Sequence, residues 1–200
     1  MGNLLSSLSK TIHTSVILTL LLFLGLFFGN GGFDFDTIFW SWLIRFIHVT
    51  VAIMWIGLLW YFNFVQIPSM PNIPDDQKPA ISKVIAPKAL FWFRWAALAT
   101  IITGLSTAHL NGYLTNALTL GILDGSQKNT AIGIGMWLGI IMAYNVWMII
   151  WPNQKIVLGI VSANDDEKPL AARKAMLFSR TNTALSIPML YAMVSAQNLY

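Results

Sequence analysis

Apolar residues run along this chain in stretches separated by short polar or basic segments, and the pattern predicts helices at about 12–29, 37–66, 89–112, 130–151 and 176–198. Each is close to the roughly 20 residues that a helix needs to cross a hydrocarbon core about 30 Å thick. The second helix is not apolar all round. At steps of three and four residues, Arg45, His48, Ala52, Trp55, Leu59, Asn63 and Gln66 fall on one face, while Ile, Val, Leu, Phe and Met occupy the others. An ionisable side chain facing lipid costs roughly 2.5–3.5 kcal/mol on insertion scales. The seam is therefore expected to face other helices, an interface, a cofactor or water.

Punctuation sets the expected ends. Pro68, Pro71 and Pro74, followed by Asp75 and Asp76, are expected to stop the second helix, and Pro152 the fourth. The stretches 78–88 and 153–174 read as basic loops, the first with room for a short surface helix. Gly135 and Gly139 in the fourth helix form a small-xxx-small pair that permits close approach of a neighbour. The fifth carries a seam of Asn182, Ser186, Met189, Met193 and Gln197. The run after Lys10 has the charged flank and apolar core of a signal peptide but no clear Ala-x-Ala cleavage pattern, and reads as a retained first helix.

Composition narrows the class. Of 200 residues, 56% are hydrophobic and 10% charged, against about 25% charged in an ordinary soluble domain. The expectation is an all-α polytopic membrane bundle of about five transmembrane helices forming a single domain over 1–200, with the lipid bilayer as its principal partner. Basic residues distribute unevenly across it. Lys10, the cluster from Lys78 to Arg94, and the cluster from Lys155 to Arg180 share one side, against Arg45 and Lys128 on the other. By the positive-inside rule the N-terminus is cytoplasmic and the C-terminus external. The sequence pI of about 9.5 is thus explained by membrane topology, and no nucleic-acid partner is expected. Absence of cysteine removes disulfides, thiolate metal sites and covalent c-type haem attachment.

Two constellations can carry chemistry. His48, early in the second helix, and His109, late in the antiparallel third, fall at similar depth in the external half. Neutral imidazole is a natural axial ligand of b-type haem; Arg45 can neutralise a propionate, and Trp55 with Gly57 can line the ring. The competing reading makes His48 a buried hydrogen-bonding side chain and His109 an interfacial one. At the cytoplasmic ends, Asn63, Gln66, Arg94, Asn145, Arg180 and Asn182 supply fixed donors suited to a planar, oxygen-rich anion, or serve as interhelical glue. No Walker loop, GxGxxG, HExxH or nucleophile elbow is present.

Four segments carry a family likeness: Arg45 to His48 (RFIH), Met54 to Gln66 (MWIGLLWYFNFVQ), Ala86 to Trp95 (APKALFWFRW) and Ser179 to Leu190 (SRTNTALSIPML). They resemble the urate oxidase N-terminal domain family, the membrane part of bacterial urate oxidases or dehydrogenases that usually end in a periplasmic cytochrome c domain. More distantly, the histidine before Trp-x-Gly and the late Arg-x-x-Asn resemble bacterial membrane protoporphyrinogen oxidases and copper-resistance membrane proteins. The resemblance implies a bacterial inner-membrane oxidoreductase with His48 as the haem b or active-site histidine; His109 is its candidate second iron ligand on the depth match alone. The resemblance also implies a small substrate such as urate, with Arg94, Arg180 and Asn182 as family positions. Because no cytochrome c domain follows residue 200, the expected electron partner is a separate periplasmic cytochrome c or a membrane complex. The rival is a haem-free accessory subunit whose polar seams only specify packing.

Overall fold

The computed structural model describes residues 2–164 and 166–200; Met1 and Asp165, both within the expected 1–200 domain, lie outside the described residues. The described residues are all-helical, without a strand among them. In order they form α1 (Gly2–Leu5), α2 (Leu8–Gly29), α3 (Thr37–Asn72), α4 (Lys78–Leu110), α5 (Leu114–Leu118), α6 (Gln127–Val157) and α7 (Glu167–Asn198). Among them α2, α3, α4 and α6 are long and apolar enough to cross a membrane.

Five such helices were expected from the sequence, and α7 is the one that differs. Its 32 residues are long enough, but it falls short of the others in apolarity. The reason is its packed face. Ala171, Ala175, Ser179, Asn182, Ser186 and Met189 are buried at steps of three and four, so α7 seats itself through small and polar residues. Its N-terminus also lies earlier than expected, because Asn164 and Glu167 cap one another. The Asn164 amide donates to Glu167 Oε2 at 2.9 Å and the Glu167 amide to Asn164 Oδ1 at 2.8 Å.

Prolines do not stop the helices where expected. Helix α3 continues through Pro68 and Pro71 to Asn72, α4 begins before Pro87 at Lys78, and α6 passes through Pro152 to Val157. Pro71 sits in a closing 3-10 turn, Met70–Asn72, and the passages of Pro68, Pro87 and Pro152 share one device. A π turn immediately precedes the proline: Tyr61–Gln66 before Pro68, Ile81–Ile85 before Pro87 and Asn145–Ile150 before Pro152. The last N–H before each proline reaches back five residues, from Ile67 to Phe62 O, Ala86 to Ile81 O and Trp151 to Val146 O. In an α-helix the proline ring would strike the carbonyl four residues back; widening the preceding turn displaces that carbonyl and lets the helix go on.

The chain divides into two compact units between Trp40 and Ser41. In the first, no residue of α2 is buried, as suits a helix that is apolar on every side. Its C-terminal turn passes through Gly31 and Gly32 at positive φ, and Phe27 and Phe33 pack edge to face beyond it with centroids 4.7 Å apart. Asp36 then caps α3, accepting from the amides of Ile38 and Phe39 at 2.9 and 3.0 Å.

In the second unit, Trp55, Leu59, Ala97, Met142 and Val146 form the centre of the core, each at most 1% exposed. A second cluster, Ala108, Ala117, Ile132, Met136 and Ala196, joins α5 to the helices around it. Close packing there depends on Gly133, where an added Cβ would fall on the Ala117 carbonyl oxygen.

Candidate functional site

A cavity of about 610 Å³ opens inside the second unit, bounded by four helices. Arg45, His48, Ala52 and Trp55 line it from α3; Thr100, Gly104 and Thr107 from α4; Ile132, Met136 and Gly139 from α6; Met189, Met193 and Gln197 from α7. Its size lies within the range of small-molecule and cofactor sites, and its mostly apolar wall with a few polar groups is their usual composition. The polar seam of α3 thus faces the cavity over its first half. Val49, Ile53 and Val194, all more than half exposed, also line it and place an opening on the flank between α3 and α7.

His48 is held from one side. Its Nδ1 lies 3.0 Å from the Thr100 carbonyl oxygen and 3.2 Å from Thr103 Oγ1. A carbonyl only accepts, so Nδ1 carries the proton. Thr103 donates its own hydroxyl to Ala99 O at 2.7 Å, which leaves its oxygen free to accept from the same N–H. Nε2 of the neutral ring then keeps its lone pair and has no hydrogen-bond partner among the described residues. Glycine at 104 makes room for this seat, since a Cβ there would lie 2.9 Å from His48 Cε1.

Polar groups gather at the Arg45 end. Arg45 Nη2 donates to Asn111 Oδ1 at 3.4 Å, and Asn111 Nδ2 donates to Ser41 Oγ at 2.6 Å and to Thr107 O at 2.7 Å. Tyr113 lines the cavity; burial raises its phenol above the ordinary value, and the Arg45 charge opposes the rise. Trp55, 0% exposed, stands two turns beyond His48 on the same face and lines the cavity. Its indole N–H has no hydrogen-bond partner among the described residues.

His109 is exposed and does not line the cavity. Thr107 does, and His109 lies two residues further, roughly 200° around α4. The two histidines are therefore not brought together. Among the described residues no group of three or more His, Cys, Asp or Glu side chains is disposed to hold a metal ion.

The second constellation lies away from the cavity. None of Asn63, Arg94, Asn145, Arg180 and Asn182 lines the cavity. Asn145 Nδ2 donates to Asn182 Oδ1 at 2.8 Å, and Asn182 Nδ2 to Met142 O at 2.9 Å. Asn63 Nδ2 donates to Leu59 O and Ser179 Oγ, and Trp60 Nε1 to Ser186 Oγ. The Arg94 guanidinium lies 3.7 Å from the centroid of the Trp151 ring, a cation–π contact. Arg180 is exposed. Apart from Arg180, these groups join helices to one another.

Of the residues the α3 seam singled out, Arg45, His48 and Trp55 line the cavity; the pattern did not point to Tyr113, which also lines it, or to Asn111, which holds Arg45. A signal existed: Thr100, Gly104, Thr107 and Asn111 repeat at steps of four, three and four, a small and polar stripe complementary to the α3 seam.

Residues 123–199 match the family model of the urate oxidase N-terminal domain. This stretch covers α6 and α7 and includes the segment from Ser179 to Leu190. No curated protein and no solved structure matches the chain.

Proposed function

We propose that this chain is a membrane redox protein of the urate oxidase N-terminal type, a five-helix bundle of the bacterial inner membrane that binds haem b in the cavity through His48. The observation that carries the reading is the His48 seat. Ligating histidines characteristically donate their second ring N–H to a carbonyl or carboxylate, which fixes the tautomer and raises ligand basicity. The Nδ1–H bond to Thr100 O meets that requirement and reserves Nε2 for iron. The cavity volume and apolar wall suit a porphyrin, and the separation of α3, α4, α6 and α7 around it supplies the space that two directly packed helices, about 8–10 Å apart, would not.

In this reading His48 ligates, Arg45 sets positive charge at the rim, and the apolar wall excludes water. Bound haem supplies reversible one-electron chemistry, its potential tuned by the axial ligand and burial. Electrons pass from a small substrate of the urate class to a periplasmic cytochrome c or a partner complex. Charge placement puts the N-terminus in the cytoplasm, the His48 half toward the periplasm and the C-terminus outside. His109, exposed and off the cavity, has no part in ligation.

A second reading, a haem-free accessory subunit, draws support from the Asn145–Asn182 and Trp60–Ser186 contacts, which are satisfied within the protein and set helix register. Purified protein separates the two. The redox reading expects a reducible Soret and α band that disappear in His48→Ala and survive in His109→Ala; a protein with no visible absorption after haem supplementation leaves the accessory reading.

A further inference from the structure

The cavity has one charged end. Arg45 is exposed and lines it, and among the described residues no carboxylate pairs with this guanidinium. Its one hydrogen bond, from Nη2 to Asn111 Oδ1 at 3.4 Å, leaves the other guanidinium N–H groups free. Asn111 is itself fixed, because its Nδ2 donates to Ser41 Oγ and Thr107 O. Tyr113 and the exposed Gln197 line the cavity as well, and neither the phenol nor the Gln197 side-chain amide makes a hydrogen bond among the described residues.

Packing brings these groups to one depth. A Cβ on Gly139 of α6 would lie 3.8 Å from Ile101 Cδ1 and 4.0 Å from Met189 Sδ, so Ile101 and Met189 mark a common level of α4 and α7. Toward the α6 N-terminus, Gly135 lies against Met193 and Ile132 clusters with Ala108, so α4 and α7 run the same way from that level. Ten residues along α4 reach Asn111 after about 15 Å of rise, and eight along α7 reach Gln197 after about 12 Å. Arg45, bonded to Asn111, therefore meets Gln197 to within a turn. Tyr113 follows two residues later, and the Arg45 charge acts on its phenol. His48 lies lower, beside Gly104, and the apolar side chains of Leu105 and Ile132 line the cavity between the two levels.

We propose that the Arg45 end of the cavity is a seat for a small aromatic monoanion, its charge held by Arg45 with Tyr113 and Gln197 and its ring laid against Leu105 and Ile132. A single unpaired cation matches a single negative charge, and the planar guanidinium fork suits two oxygens in one plane. The apolar wall next to it favours a ring over a compact, strongly hydrated phosphate. The seat deepens the redox reading by giving its small substrate a place, and rests on that reading only for urate as the physiological candidate.

The test titrates full-length protein in detergent calorimetrically with two pairs of probes matched in shape: benzoate with benzamide, and urate with hypoxanthine. At neutral pH the first of each pair is an anion and the second is neutral. Benzoate should bind about tenfold tighter than benzamide, and the advantage should shrink as salt is raised and disappear in Arg45→Gln. Tyr113→Phe, which removes one oxygen and keeps the ring, should weaken benzoate about fivefold, a second variant should Arg45→Gln fail to fold. Equal binding of benzoate and benzamide to wild-type protein, or an anion preference that survives in Arg45→Gln, would overturn the seat. So would displacement of benzoate by phosphatidylglycerol added to the micelles, which would make the anion a lipid phosphate, or by added haem b, which would make it a haem carboxyl. Benzoate bound and urate refused would keep the seat and remove urate from the redox reading; benzoate bound by a protein that takes up no haem would keep the seat and remove the haem.

Discussion

The imidazole of His48 lies so close to Gly104 that a methyl group on that glycine would stand 2.9 Å from Cε1 and 3.3 Å from Nδ1. Residue 104 therefore fixes the ring's position without donating a single hydrogen bond. The Gly104→Ala substitution should push the ring off Thr100 O, release the Nδ1 proton from its acceptor and misdirect Nε2. We expect haem content of the purified variant to fall by at least tenfold while far-UV circular dichroism stays helical, alanine being the better helix former. Full haem content with an unchanged spectrum would mean that the seat is not what selects the ligand.

Asn145 and Asn182, 6% and 0% exposed, tie α6 to α7 and borrow the Met142 carbonyl. Replacing Asn182 by alanine leaves the Asn145 side-chain amide without its partner in the core and the Met142 carbonyl with only its backbone donor, the Asn145 N–H. A loss of about 1–3 kcal/mol in unfolding free energy is expected, above the ~0.6 kcal/mol average for polar contacts in membrane proteins. Thermal melts in detergent would measure it. A variant as stable as wild type but selectively deficient toward substrate would restore the binding role that packing now explains.

Outside the spans, Asp124 organises the turn before α6. Its Oδ1 accepts from the Ser126 amide at 3.0 Å, and its other oxygen from Asn116 Nδ2 at 2.8 Å and from Asn129 Nδ2. The Ser126 N–H above all, then the side-chain amides, hold this carboxyl below its ordinary value. A folded-state value below the unfolded one means that the stabilisation is complete above about pH 4 and lost as pH falls through the folded value. Amide exchange at Ser126 and Asn129 should accelerate relative to the intrinsic rate only in that acidic window, and in Asp124→Asn the acid-dependent step should vanish. Persistence of the step in the variant would assign it to another group.

Orientation can be read with cysteines introduced into a chain that has none. Asp76→Cys, between α3 and α4, should react with a membrane-impermeant maleimide only from the cytoplasmic side, and Gly125→Cys, between α5 and α6, only from outside. Inverted labelling would reverse the topology and carry His48 to the cytoplasmic half.

Sequence periodicity by itself determined that long helices exist and which face of α3 is special. Arg45, His48, Ala52 and Trp55 all line the cavity, because recurrence at steps of three and four is a property of one helix and needs no partner to be read. The seam of α7 was legible for the same reason: Asn182, Ser186 and Met189 are buried, and Met193 with Gln197 reaches the cavity. Helix ends were less legible. Proline forbids an α-turn but not a π turn, and whether the backbone widens at Tyr61–Gln66, Ile81–Ile85 and Asn145–Ile150 depends on packing that the local sequence does not contain.

Only the tertiary structure decided which residues meet across helices. His48 and His109 were expected at similar depth, yet His48 sits beside Thr100, Thr103 and Gly104, which leaves His109 about 7.5 Å of rise further along α4, and the rotation of α4 turns Thr107 toward the cavity and His109 out. Packing likewise joined Asn145 to Asn182, set the His48 proton on Nδ1 against a backbone carbonyl that every residue possesses, and left the Trp55 N–H without an acceptor among the described residues. A periodic pattern encodes the face of one helix; hydrogen bonds, cavities and unmet donors belong to pairs of faces, and those are determined when the helices pack.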